Sequence, residues 1–172
     1  MLAPLILTLK IDDVSFDFFD ELRRKYFPPE RNFLSAHLTL FHHLPGEELK
    51  RVRFDLTQMC AVQKVFPLEF LAWRFLGKGV AVKVAANELL GLQEQLAKLW
   101  IDWLTAQDRQ KLQPHITVQN KVASDEAKNL YEKLSRDWRT RDGHAEGLQL
   151  YHYLGAKWKL EKEFLFVETS GK

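Results

Sequence analysis

Apolar and polar positions alternate along this chain with two periods, and the switches between them mark out the elements. Residues 5–9 form an apolar run of strand length, and Val14, Phe18 and Leu22 then recur at helical spacing within a helix predicted over 14–27. A β-branched and aromatic run at 36–43 predicts a strand. Leu49, Val52, Leu56 and Met59 form the stripe of a helix over 47–63. Residues 66–76 and 80–86 read as two strands joined by a turn at Gly77-Lys78-Gly79. Leu92, Leu96, Leu99 and Trp103 place a helix over 92–105, and a second β-branched run follows at 114–121. Leu130, Leu134 and Trp138 mark a helix over 125–141, with Ser124 as its expected N-cap ahead of Asp125 and Glu126. Residues 148–154 and 158–167 close the chain as a strand pair around Gly155-Ala156-Lys157, and Pro28-Pro29 and Asp142-Gly143 read as loops.

These elements repeat. Displacing the chain by 78 residues, the step from His37 to His115, lays helix on helix, strand on strand and Gly77 on Gly155. The expectation is an α+β fold of two pseudo-symmetric lobes. Each lobe would hold a mostly antiparallel sheet with helices on its outer face, and a cleft would lie between them. Residues 1–172 would form one bilobal domain.

Within the repeat, one tetrapeptide is kept while its surroundings drift. His37-Leu38-Thr39-Leu40 stands in the first half and His115-Ile116-Thr117-Val118 in the second. The side-chain period of a strand is two, so His and Thr of each copy point to one face. A single His-x-Thr in a strand means little, because Thr is a good strand residue. Two copies at equivalent positions argue for a shared site. Two histidines can hold one neutral and one protonated ring near neutral pH, which suits general acid–base catalysis of an in-line displacement at phosphorus. Two threonine hydroxyls would donate to the non-bridging oxygens.

Composition narrows the alternatives. A net charge of +2 and a pI of about 8.6 admit an anionic ligand without indicating a polycation. Cys60 is the only cysteine, so no internal disulfide is possible and a reducing compartment is expected. The apolar start lacks a basic leader and reads as a first strand, and no run reaches the roughly 20 apolar residues of a bilayer span. A cytoplasmic monomer without membrane attachment is expected. His37, His42 and His43 raise a metal alternative, but the motif strands carry no carboxylate and there is no His-Glu-x-x-His pattern. No metal and no cofactor are expected. A Gly-rich phosphate loop, a dinucleotide fingerprint and a nucleophile elbow are all missing.

The paired motifs, their separation and the duplicated pattern resemble the 2H phosphoesterase superfamily, in its 2′-5′ RNA ligase-like or cyclic phosphodiesterase branch. That resemblance implies a metal-independent phosphodiesterase that opens 2′,3′-cyclic phosphates of RNA ends or nucleotides. It carries the catalytic roles onto His37, Thr39, His115 and Thr117. By the same analogy His115 is the base and His37 the acid, leaving a 2′-phosphate. Alternatives are a reversible 2′-5′ RNA ligase and a non-catalytic RNA-end binding module. Many ligase-like members have a basic residue soon after the second motif, whereas Gln119-Asn120-Lys121 follows here. An unbroken strand would aim Lys121 at the cleft and continue the site face through Phe41 and His43, so Phe41 and Lys121 are candidate substrate-binding residues. Trp73 and Tyr151, equivalent across the repeat, would line the cleft mouth or the core, with Arg74 and Tyr153 as weaker candidates.

Overall fold

The order of elements follows from the two periods in the sequence. A computed structural model describes residues 1–170. It contains β1 (Leu5–Ile11), α1 (Asp13–Tyr26), β2 (Thr39–Leu44), α2 (Leu49–Val62), β3 (Phe66–Phe75), β4 (Val80–Ala85), α3 (Asn87–Leu99), β5 (His115–Gln119), α4 (Ser124–Arg136), β6 (Arg141–Leu154) and β7 (Lys157–Leu165). The strands form one curled antiparallel sheet in the order β2-β1-β6-β3-β4-β5, with β7 beside β6. The two expected sheets are therefore continuous. The 14-residue β6 joins them, pairing Arg141 to Ala145 with β3 and Ala145 to His152 with β1. Asp142 and Gly143 lie in this strand, where the sequence suggests a loop. A side chain at Gly143 would strike Ser15 Oγ, the Phe70 ring and the Asp12 carboxylate, so this glycine permits a close approach of helix and strand.

Helices cover one face of the sheet, and the exchange between repeats is informative. α1, from the first repeat, packs behind β5 of the second. Its Phe19 sits against Phe70 and Trp73 of β3. In return, Trp100 at the end of α3 packs edge-on against Phe41 of β2, with ring centroids 5.2 Å apart, and donates from Nε1 to Asp55 of α2. The first helix of each half thus backs the motif strand of the other. The apolar stripes read from the sequence meet in this core; Leu7, Leu40, Leu56, Leu68, Leu96 and Ile116 are all buried.

α4 ends at Arg136, short of the expected 141, and Ser124 is its first helical residue rather than its cap. Trp138 lies beyond the helix. There its indole donates to the Leu71 carbonyl and the ring stacks edge-on to Trp73. Tertiary packing has taken this aromatic out of the helical period.

The two motif strands share an irregularity. Thr39 pairs with Thr8 and Phe41 with Leu7, so two steps on β2 match one step on β1. Likewise Thr117 pairs with Ala81 and Gln119 with Val80. A bulge therefore follows the Thr of each motif, and beyond it the alternation of faces is reset.

Candidate active site

His37 and His115 are held in the same way. His37 Nδ1 lies 2.7 Å from the Ser35 carbonyl and His115 Nδ1 lies 2.8 Å from the Gln113 carbonyl, in each case two residues upstream. A carbonyl can only accept, so each Nδ1 carries the proton. In its neutral form each ring then presents an unprotonated Nε2, able to take a proton from a ligand or return one. Thr39 and Thr117 are half-buried on the same faces as their histidines, while Leu38, Leu40, Ile116 and Val118 point into the core.

On the His37 side the site opens into a cavity of about 350 Å³. Ser35, His37, Gln149, Tyr151, Trp158 and the exposed Phe33 line it. The Trp158 ring lies 4.8 Å from the His37 ring and 5.8 Å from Tyr151. Such a group of rings, with an amide and a phenol among them, suits a flat heteroaromatic ligand.

Burial pushes His37 down to about 4, against the pull of the Ser35 carbonyl. The charges of Arg23, His115 and His42 push in the same direction as burial. His37 is thus neutral near pH 7. Arg23 is buried, and burial brings it down to about 10, still protonated at neutral pH. Its Nε donates to Asn32 Oδ1 at 2.9 Å and to the Leu34 carbonyl at 3.0 Å, and Nη1 donates to the Thr117 carbonyl at 3.0 Å. One guanidinium therefore ties the loop that carries His37 to the strand that carries Thr117. Asp108 makes a second tie from the segment before β5. Its carboxylate accepts from the backbone N–H groups of His42 and His43 and from His42 Nδ1. Burial raises Asp108, yet these donors hold it below the usual carboxylate range.

Two expectations about binding residues are corrected. Phe41 is fully buried against Trp100, because the bulge after Thr39 turns it to the helix side. Lys121 lies beyond the end of β5 in a left-handed turn with φ of 62°, its N–H bonded to Asn120 Oδ1. The bulge at Val118 breaks the period that would have aimed it at the cleft. His42 is drawn off by Asp108, and among the described residues no three His, Cys, Asp or Glu side chains converge. The repeat equivalents Trp73 and Tyr151 part company: Trp73 is buried with Phe19 and Trp138, and Tyr151 lines the cavity. Cys60 is buried and its thiol is pushed up to about 12, which leaves it inert.

Other residues come forward that the tetrapeptides do not reveal. Lys83 is the cross-strand partner of His115, and Arg74 partners Ala81, itself the partner of Thr117. Trp158 reaches His37 from the far end of the chain. Strand pairing assembles these neighbours, so no local pattern announces Lys83 or Trp158, and Arg74, a weaker candidate from the sequence, gains its place beside Thr117 only from the pairing. No helix among the described residues is long and apolar enough to cross a membrane.

The fold has relatives among solved structures. The chain resembles TT0787 of Thermus thermophilus in structure, with a TM-score of 0.65, 16% identity, and 95% of this chain and 97% of that one covered. It resembles Escherichia coli LigT complexed with 3′-AMP to the same TM-score of 0.65, with 15% identity and coverage of 97% and 99%. LigT complexed with ATP aligns with a TM-score of 0.58, 17% identity and coverage of 96% and 98%. No curated protein matches the sequence. The profile of the 2′-5′ RNA ligase superfamily spans residues 11–157, from the end of β1 to the start of β7, and so takes in both tetrapeptides. A duplicated His-x-Thr strand on each side of a curled antiparallel sheet, with that match across most of the chain, makes this protein a member of the 2′-5′ RNA ligase superfamily, the 2H phosphoesterases.

Proposed function

We propose that the chain is a metal-independent phosphodiesterase that opens 2′,3′-cyclic phosphates of RNA ends or nucleotides by two-histidine acid–base catalysis. The observation that carries this reading is the matched pair of Nδ1–carbonyl bonds at His37 and His115. They fix both rings in the tautomer that offers Nε2, and each ring shares a face with a Thr hydroxyl. In ring opening, one Nε2 takes a proton from water as its oxygen bonds to phosphorus. The other ring, protonated, gives its proton to the sugar oxygen as the P–O bond breaks. Thr39 and Thr117 donate to the non-bridging oxygens, where charge grows. The product carries one new P–OH and one freed sugar hydroxyl.

The resemblance orders the pair as His115 base and His37 acid, giving a 2′-phosphate. Burial keeps His37 neutral near pH 7, so this order requires the bound anion to bring a proton onto it. The nucleobase would enter the cavity beside His37 and stack on Trp158. The support from relatives is that LigT is described in complexes with 3′-AMP and ATP.

The test is turnover of a 2′,3′-cyclic nucleotide in excess chelator by wild type, His37→Ala and His115→Ala. Each variant is expected to keep its circular dichroism spectrum and to lose about 10²–10⁴-fold or more in kcat. Near-wild-type rates in either variant, or a chelator-sensitive activity restored by zinc, would refute the proposal. Joining of 2′-5′ ends without hydrolysis would favour a ligase instead.

A further inference from the structure

The cleft is not symmetric in charge. On the His37 side its floor is aromatic, and the nearby cation, Lys10, is paired with Glu163 at 3.8 Å. On the His115 side the neighbouring strands present two basic residues. Lys83 lies directly across from His115 in regular antiparallel register. Such partners have Cβ atoms about 5 Å apart on the same face. Arg74 stands in the next strand, in the row Thr117–Ala81–Arg74. Two strand spacings put its backbone about 10 Å from that of Thr117. The intervening Ala81 is too small to block it, and Trp73 and Phe75, on either side of Arg74, both turn to the helices. Arg74 Nη1 donates to Gln113 Oε1 at 3.1 Å, and the carbonyl of this same Gln113 holds His115 Nδ1. The guanidinium is therefore beside the His115 end of the cleft.

Both residues are exposed, and neither enters an ion pair with a described carboxylate. Glu69, in the adjoining row opposite Ala85, is the nearest acidic position on β3 and bounds the cationic patch on that side. Two cations on neighbouring strands, without carboxylate partners and next to one histidine only, are more than one phosphoryl group between the histidines requires.

We infer that Lys83 and Arg74, with the Gln113 side chain, form an anion subsite for the phosphate one nucleotide away from the reacting one. The preferred substrate is then a cyclic-ended oligonucleotide rather than a cyclic mononucleotide. This inference rests on the phosphodiesterase reading above for its reaction, though not for its ligand. The cation expected after the second motif comes here from β3 and β4 instead.

The experiment compares kcat/KM for a 2′,3′-cyclic mononucleotide and for a dinucleotide with the same cyclic end. Wild type is expected to favour the dinucleotide by about 10-fold or more, the scale of one or two charge-assisted hydrogen bonds. Lys83→Gln and Arg74→Gln should each lower the dinucleotide value by about 10-fold and the mononucleotide value by no more than about 3-fold. The salt dependence for the dinucleotide should flatten in both. Lys83→Gln is the cleaner variant, because Arg74 also touches the residue that orients His115. Equal use of the two substrates by wild type, or a parallel fall of both in Lys83→Gln, overturns the inference. If wild type turns over neither substrate, the phosphodiesterase reading fails by itself. The subsite is then decided by fluorescence titration with a deoxydinucleotide bearing a 3′-phosphate. Binding about 10-fold weaker in Lys83→Gln upholds the subsite, and unchanged binding overturns it.

Discussion

If an anionic phosphoryl group sits beside His37, filling the site must change the protonation of that ring. Burial holds His37 at about 4, with Arg23, His115 and His42 adding to the effect. A monoanion about 5 Å from the ring, at an effective dielectric of about 20, attracts the imidazolium by about 3.3 kcal/mol, a gain of roughly 250-fold in the ring's proton affinity. That raises His37 back toward the ordinary histidine range. Binding should therefore draw about one proton from solvent at pH 5 to 6, and by linkage anion affinity should rise about tenfold per pH unit as pH falls from about 6.5 toward 4. The assay is a ¹³C–¹H NMR titration of the histidine Cε1–H groups, with and without saturating sulfate, which stays charged throughout. His37→Gln identifies the resonance. Calorimetry in buffers of different ionisation enthalpy counts the proton independently. A His37 ring that titrates near 6.5 in the empty protein would refute the burial argument. Sulfate that binds without moving the ring's titration would refute the placement of the phosphoryl group.

Four other outcomes rest on the same geometry. Between about pH 6.5 and 4 the unfolded chain binds a proton at His37 that the folded chain excludes, so stability should fall with pH across that window. The expected loss is about 2 kcal/mol after allowing for the ring's partial exposure, and His37→Gln should remove that slope in urea titrations at successive pH values. Arg23→Met leaves three acceptors unpaired and should cost about 2–4 kcal/mol by urea denaturation, with a drop in kcat of about 10-fold or more because the two motif strands lose their tie. Phe41→Ala should cost about 3–5 kcal/mol of stability, and Phe41→Leu should leave KM near wild type, since the ring is core. Trp158→Ala should raise KM for a cyclic nucleotide by about 10-fold, as loss of a stacking partner, with the melting temperature little changed.

The periods of 3.6 and two located the helices and strands because burial on one face is a one-dimensional property of the chain. The repeat was legible for the same reason, since each half must bury the same faces. Sequence periodicity could not reveal where the period breaks. Thr39 and Thr117 lie on the same faces as their histidines, with the buried Leu38 and Ile116 alternating between them. Phe41 and Lys121 were misplaced because one extra residue on each motif strand, Leu40 and Val118, has no local signature and turns the residues after it to the opposite face. Lys83 was illegible for a different reason, and Arg74 was read only as a weak candidate at the cleft mouth: their nearness to His115 and Thr117 is a matter of strand pairing across β4 and β3.

The paired bulges also bear on how a symmetric scaffold holds an asymmetric site. Both come directly after the Thr, so each strand offers one His and one Thr to the cleft and then turns inward. The inward residue differs between the copies. In β2 it is Phe41, which fills the core against Trp100; in β5 it is Gln119, buried with Oε1 unpartnered. An unpaired buried amide oxygen costs about 1–3 kcal/mol, so the β5 end packs an uncompensated polar group where the β2 end packs an apolar ring. Gln119→Leu should relieve that cost, raising the urea midpoint while leaving His115 and Thr117 in place. A lowered midpoint would mean that the amide group is needed where it lies and would refute the packing argument.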